Sequence, residues 1–236
     1  MKDRIAKQKL NVFLLIDCST SMRGRRIEQV NKAIRDIKKH LEEMQDDNLN
    51  YDFYITIITF STDAFLVNNA KETNVEQFNF KDIKAGGWSN LHLAYMKLEE
   101  LLEKESKGGI MPDFGGAAPI ILLLTDGHPT GNDYKGCLHR LREKAWFNVA
   151  LKYGIAIELN DNKTIQVLRE FVDKSGDVIQ VYDSNLLQKI IKIIVLTASK
   201  VKSRGSNVGG SKKVSVSVEI KQKVQNAIAE VEDWEW

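Results

Sequence analysis

Two apolar runs constrain the fold of this 236-residue chain more than any other feature: NVFLLI over residues 11–16, which stops at Asp17, and IILLL over residues 120–124, which stops at Thr125-Asp126. A strand with one wet face alternates polar and apolar residues. A strand that does not alternate is buried on both faces, as in a parallel sheet covered by helices. FYITIITF over 53–60 predicts another such strand, and Ala64–Val67 a short one paired with it as a hairpin. Between NVFLLI and FYITIITF, Ile27, Val30, Ile34, Ile37, Leu41 and Met44 recur at spacings of three and four, the stripe of an amphipathic helix. Leu91, Ala94, Tyr95, Leu98, Leu101 and Leu102 form a second stripe. Helix, strand, helix, strand and helix are expected around 135–146, 149–159, 163–174, 177–182 and 185–199. This alternation predicts a doubly wound, Rossmann-like α/β fold. Its central sheet is mostly parallel with one short antiparallel edge strand, and helices cover both faces.

Composition closes several classes. The 34 Lys+Arg nearly balance the 32 Asp+Glu, a net +2, which argues against a dedicated nucleic-acid binder. Cys18 and Cys137 form no disulfide framework. No apolar run approaches the ~20 residues of a membrane span, and MKDRIAKQKL has no signal-peptide apolar region, so the expected place is the cytoplasm with no membrane contact. One domain is expected over 1–199. Residues 200–236 read as a flexible basic linker, then a strand in which Val214, Val216, Val218 and Ile220 alternate with polar residues, then a short helix.

In a doubly wound sheet, ligands bind beyond the carboxyl ends of the strands, where strand order reverses. Three polar clusters fall at such positions: Asp17-Cys18-Ser19-Thr20-Ser21, then Ser89 opening the second helix, then Asp126. All offer oxygen, and none offers sulfur or imidazole at soft-metal spacing. Hydroxyls and carboxylates suit a hard divalent cation, Mg²⁺ or Mn²⁺.

These residues also carry a resemblance. DCSTSM fits D-x-S-x-S, the metal-ion-dependent adhesion site of von Willebrand factor A domains. GWSNL at 87–91 resembles that family's second motif, with Ser89 where Thr is usual, Trp88 where a small residue is common and His92 where Gly is common. LLLTDGHPT resembles its third motif. The similarity spans about residues 8–199 and has the flavour of the bacterial TerY-like group of tellurium-resistance and stress-response clusters. It implies that Ser19, Ser21 and Ser89 contact a metal through hydroxyls, with Asp17 and Asp126 binding directly or through water. It implies a function too: protein binding, in which a partner's Glu or Asp carboxylate completes the ion's coordination. The partner is expected to be a kinase or phosphatase of the same gene cluster.

Arg23, Arg25 and Arg26 follow the first motif. With Trp88 and His128 they are expected to form the rim that meets the partner. An enzyme is not expected: no His stands in a triad context, the second Asp of a phosphoaspartyl phosphatase is replaced by Ser19, and there is no Walker loop. The alternatives are a metal-independent scaffold whose motif residues merely cap local structure, and, behind it, a hydrolase. Asp233 or Glu235 could fill the metal site of a second copy, giving self-association through the tail.

Overall fold

β1 (Gln8–Asp17) is buried on both faces from Asn11 onward, and that divides the interior in two. Its Leu10, Val12, Leu14 and Ile16 enter one core, while Phe13 and Leu15 enter another. The computed structural model describes residues 7–47, 51–67, 71–130, 133–159, 161–172, 177–202 and 210–232.

α1 (Arg25–Asp47) carries the first apolar stripe against the first core. β2 (Tyr51–Phe60), β3 (Ala64–Leu66) and β4 (Thr73–Asn74) follow, then α2 (Leu91–Leu101), β5 (Ile120–Thr125), α3 (Tyr134–Glu143), α4 (Ala145–Val149), β6 (Leu151–Ile157), α5 (Asn162–Val172), β7 (Asp177–Val181) and α6 (Ser184–Lys202). The strands form one sheet ordered β3-β2-β1-β5-β6-β7, with β4 also on β2. Pairing is parallel from β2 to β7 and antiparallel at β3 and β4. The antiparallel edge is thus two short pieces rather than the single strand expected. α2, α3 and α5 bury their apolar faces in the second core.

The chain steps from β1 outward to β2, then returns to place β5 on the other side of β1. The order therefore reverses between β1 and β5, in register through Ile16 and Leu124. Asp17 and Asp126 lie at the carboxyl ends of those neighbouring strands, beside the crevice that such a reversal opens.

The last element corrects the sequence reading. Val214–Ile220 is not a strand but part of a helix, α7 (Gly210–Glu232). Alternation was the weaker of two patterns present: Val218 is 59% exposed, whereas Ile220, Val224 and Ala227, at helical spacing, are buried. Packing against α6 offers those three a partner surface, and packing overrides β-propensity. Lys223 reaches Thr197 and Lys189 pairs with Glu230, so α7 runs antiparallel to α6. Lys221 pairs with Asp177 of β7 at 3.1 Å. Of the expected linker, residues 203–209 lie outside the described residues, as do Asp233 and Glu235. Among the described residues no helix is long and apolar enough to cross a membrane.

Ile220→Ala should cost about 2–4 kcal/mol of unfolding free energy, as for other buried large-to-small changes. Gln222→Ala, on the exposed side of α7, should be near neutral. Equal effects in urea denaturation would contradict a helix packed through Ile220.

Candidate metal-binding site

Asp17 ends β1 fully buried, and three chain segments donate to its carboxylate. The Ser19 N–H donates to Oδ1 at 2.8 Å. The hydroxyls of Ser89 and Thr125 donate to Oδ2 at 2.9 and 2.7 Å. Burial pushes the Asp17 carboxyl above its ordinary value of 3.8, against the pull of the hydrogen bonds from Ser19, Thr125 and Ser89.

The other expected ligands join the same network. Ser19 Oγ and Ser21 Oγ lie 3.1 Å apart, and the Ser21 hydroxyl donates to Asp126 Oδ1 at 2.7 Å. All five expected residues are therefore linked, from Ser89 through Asp17, Ser19 and Ser21 to Asp126. Asp17, Ser19, Ser89 and Asp126 are buried, while Ser21 is exposed. The site thus has an acidic floor and an open mouth.

The loop before α2 is docked from both sides. Thr20 donates to the Gly87 carbonyl through its N–H and its hydroxyl, both at 3.0 Å, and the Gly86 N–H donates to the Cys18 carbonyl at 2.7 Å. Gly87 has φ of +90°, and a Cβ there would meet Thr62 Oγ1 at 2.5 Å, so glycine lets this loop approach. Thr130 clamps Ser89: its N–H donates to the Ser89 carbonyl and its Oγ1 accepts from the Ser89 N–H, both at 2.9 Å. Of the expected rim, Arg23 donates through Nε to the Ala85 carbonyl at 3.3 Å, and Trp88 is 67% exposed beside Ser89. His128 is exposed two residues past Asp126.

Sequence reasoning missed three contributors. Thr125 holds Asp17, and Thr130 holds Ser89; both stood in the quoted third motif with no role attached. Arg26, expected only as rim, makes an ion pair with Asp126 Oδ2 at 2.6 Å. No spacing rule connects positions 26 and 126.

A family model for the von Willebrand factor type A domain matches residues 11–193, most of the chain and all of this site. The chain belongs to that family. The inter-alpha-trypsin inhibitor heavy chain H4 of Bos taurus is 33% identical over 134 residues, covering 54% of this chain and 14% of that protein. The heavy chain H3 of Bos taurus is 32% identical over 118 residues, covering 50% and 13%. This VWA domain chain thus spans only a small part of those relatives. Among solved structures, a von Willebrand factor type A protein from Catenulispora acidiphila superposes with TM-score 0.60 at 14% identity, covering 82% of this chain and 43% of that one. Proximal thread matrix protein 1 of the mussel byssus gives 0.59 at 16%, covering 80% and 48%. The pilus adhesin SpaC of Lactobacillus rhamnosus GG gives 0.56 at 12%, covering 94% and 30%. At such identities these structures speak to the fold alone.

The donor set of this VWA domain can be tested for fit to a hard cation. Neighbouring oxygens of an octahedral Mg²⁺ shell, each about 2.1 Å from the ion, lie about 3.0 Å apart. The Ser19 and Ser21 hydroxyl oxygens are spaced at 3.1 Å. The Ser89 and Ser21 hydroxyls give their protons to carboxylates, which leaves oxygen lone pairs for a cation. Among the described residues no three His, Cys, Asp or Glu side chains converge, so hydroxyls must supply much of any shell. The residues fit the ion.

The raised carboxyl of Asp17 has a sign in stability. Between 3.8 and its folded value, the folded state binds a proton that the unfolded state lacks. This contribution therefore strengthens folding as pH falls through that window and is lost as pH rises above it. In metal-free buffer, wild type should gain stability relative to Asp17→Asn in urea denaturation as pH is lowered toward 3.8. Parallel curves for the two would contradict the burial argument.

Proposed function

We propose that this protein is a non-enzymatic, metal-dependent protein-binding module. The observation that carries the reading is the single hydrogen-bonded network joining Asp17, Ser19, Ser21, Ser89 and Asp126 at the mouth of the sheet crevice. Ser19, Ser21 and Ser89 would hold Mg²⁺ or Mn²⁺ through their hydroxyls. Asp17 and Asp126 orient those hydroxyls and supply the negative charge. When bound, the ion offers an open coordination position to a Glu or Asp carboxylate of a partner protein. Arg23 and Trp88 flank that position, where a basic rim speeds the approach of an acidic surface and an exposed Trp supplies apolar contact area.

The finer reading keeps the context that the motifs suggest: a TerY-like adaptor or scaffold in the bacterial cytoplasm, serving a stress-response or phosphorylation-linked system with a kinase or phosphatase as partner. Self-association through Asp233 or Glu235 is supported by α7, whose C-terminal end lies beside the start of α6, on the side of the sheet that carries Asp17.

A metal-independent scaffold is the second reading, favoured by one observation: Arg26 already pairs with Asp126. Affinity capture from host lysate separates the two. Wild type in Mg²⁺ should retain a partner that EDTA releases and Asp17→Ala never binds. The purified wild type should also melt higher with Mg²⁺, since a ligand of the native state alone stabilises it, and Asp17→Ala should show no shift. A partner retained in all arms would establish the metal-free reading instead.

A further inference from the structure

The Arg26 guanidinium does more than lie on the rim. It sits in the first turn of α1, with its side chain only 31% exposed, between two carboxylates. Nη1 donates to Asp126 Oδ2 at 2.6 Å and to the Ser21 carbonyl at 3.1 Å. Nε faces Glu158 Oε2 at 3.5 Å. Asp126 is the carboxylate whose other oxygen accepts from Ser21. The guanidinium therefore satisfies the negative charge that the network would present to an incoming cation.

Glu158 is built to stay where it is. It follows β6 with φ of +47°, the one non-glycine residue with positive φ among those described, a conformation that costs free energy and persists only where the surroundings enforce it. Its N–H donates to the Val181 carbonyl at 2.8 Å. Its Oε1 accepts from Gln29 Nε2 at 2.8 Å and pairs with Arg25 Nε at 3.1 Å. Arg25 and Gln29 thus pin one carboxylate oxygen and leave the other facing Arg26.

We propose that Arg26 is an internal competitor for the cation site: it holds Asp126 while the site is empty and shifts onto Glu158 when a divalent ion takes Asp126. The inference rests on the metal reading above. Without Glu158, loading would strand a partly buried guanidinium, a costly state. With Glu158 in place, the guanidinium that gives up Asp126 keeps the ion pair it already has and can close on it from 3.5 Å. Arg26 then sets how tightly the ion is held, and Glu158 sets how readily Arg26 lets go.

The opposite signs expected for the two residues make this testable. An Arg paired with a carboxylate offsets the negative charge that an incoming cation would meet, and the partial exposure of Arg26 screens that effect. Titration calorimetry of Mn²⁺ into the metal-stripped full chain should show Arg26→Gln binding about tenfold tighter than wild type. Glu158→Gln, which leaves Arg26 committed to Asp126, should bind more weakly than wild type. Melting curves in EDTA establish that both variants fold. A merely structural role would move both variants the same way, and that result would overturn the proposal, as would unchanged or weaker binding by Arg26→Gln while wild type binds. If neither wild type nor either variant binds Mn²⁺, the metal reading itself fails and this inference goes with it.

Discussion

Everything at the open end of this sheet depends on one buried carboxylate. Asp17 is carried to the end of β1 by an apolar run with no alternative but the centre of a parallel sheet. Three hydrogen bonds then tie it to its own loop through Ser19, to the loop before α2 through Ser89, and to β5 through Thr125. A buried charge is costly unless it is hydrogen-bonded, so these segments are held together by what they give to Asp17. Burial still holds its carboxyl above the ordinary value, against the pull of those hydrogen bonds. A cation at the mouth would favour the ionised form, which links the energetics of the fold to the chemistry of the site.

Much of this was legible in the sequence because the constraints were local or periodic. NVFLLI, FYITIITF and IILLL each became a central strand, and Ile27, Val30, Ile34, Ile37 and Leu41 became the buried face of α1. The five expected ligands came together because each follows a strand or opens a helix at one end of one sheet, and topology does the rest. What was not legible depends on choices between competing patterns or on contacts with no sequence rule. Val214–Ile220 fits a strand and a helix alike, and only the surface offered by α6 decides for the helix. The pairing of Arg26 with Asp126 joins residues far apart in the chain, and neither one's neighbours announce it. The second antiparallel piece, β4, has only two residues, too few for any periodicity to register.

Membership of the von Willebrand factor type A family gives the fold and a general role in protein interaction. The particular character of this chain lies in the charges around its site. Asp126 shares its two oxygens between Ser21 and Arg26, and Glu158 pairs with the same guanidinium at the longer distance of 3.5 Å. Such an arrangement would hold an ion less tightly than two unshared carboxylates. A weakly held ion suits a site whose full complement of ligands includes a carboxylate from elsewhere.

The most direct measurement is a crystal structure of the Mn²⁺-soaked protein, with anomalous scattering to locate the metal. One strong peak is expected, bounded by Ser19, Ser21 and Ser89 and within reach of Asp17 and Asp126, with Arg26 released from Asp126 and held by Glu158. A peak at any other place, or an intact Arg26–Asp126 pair with no peak at this site, would contradict that expectation.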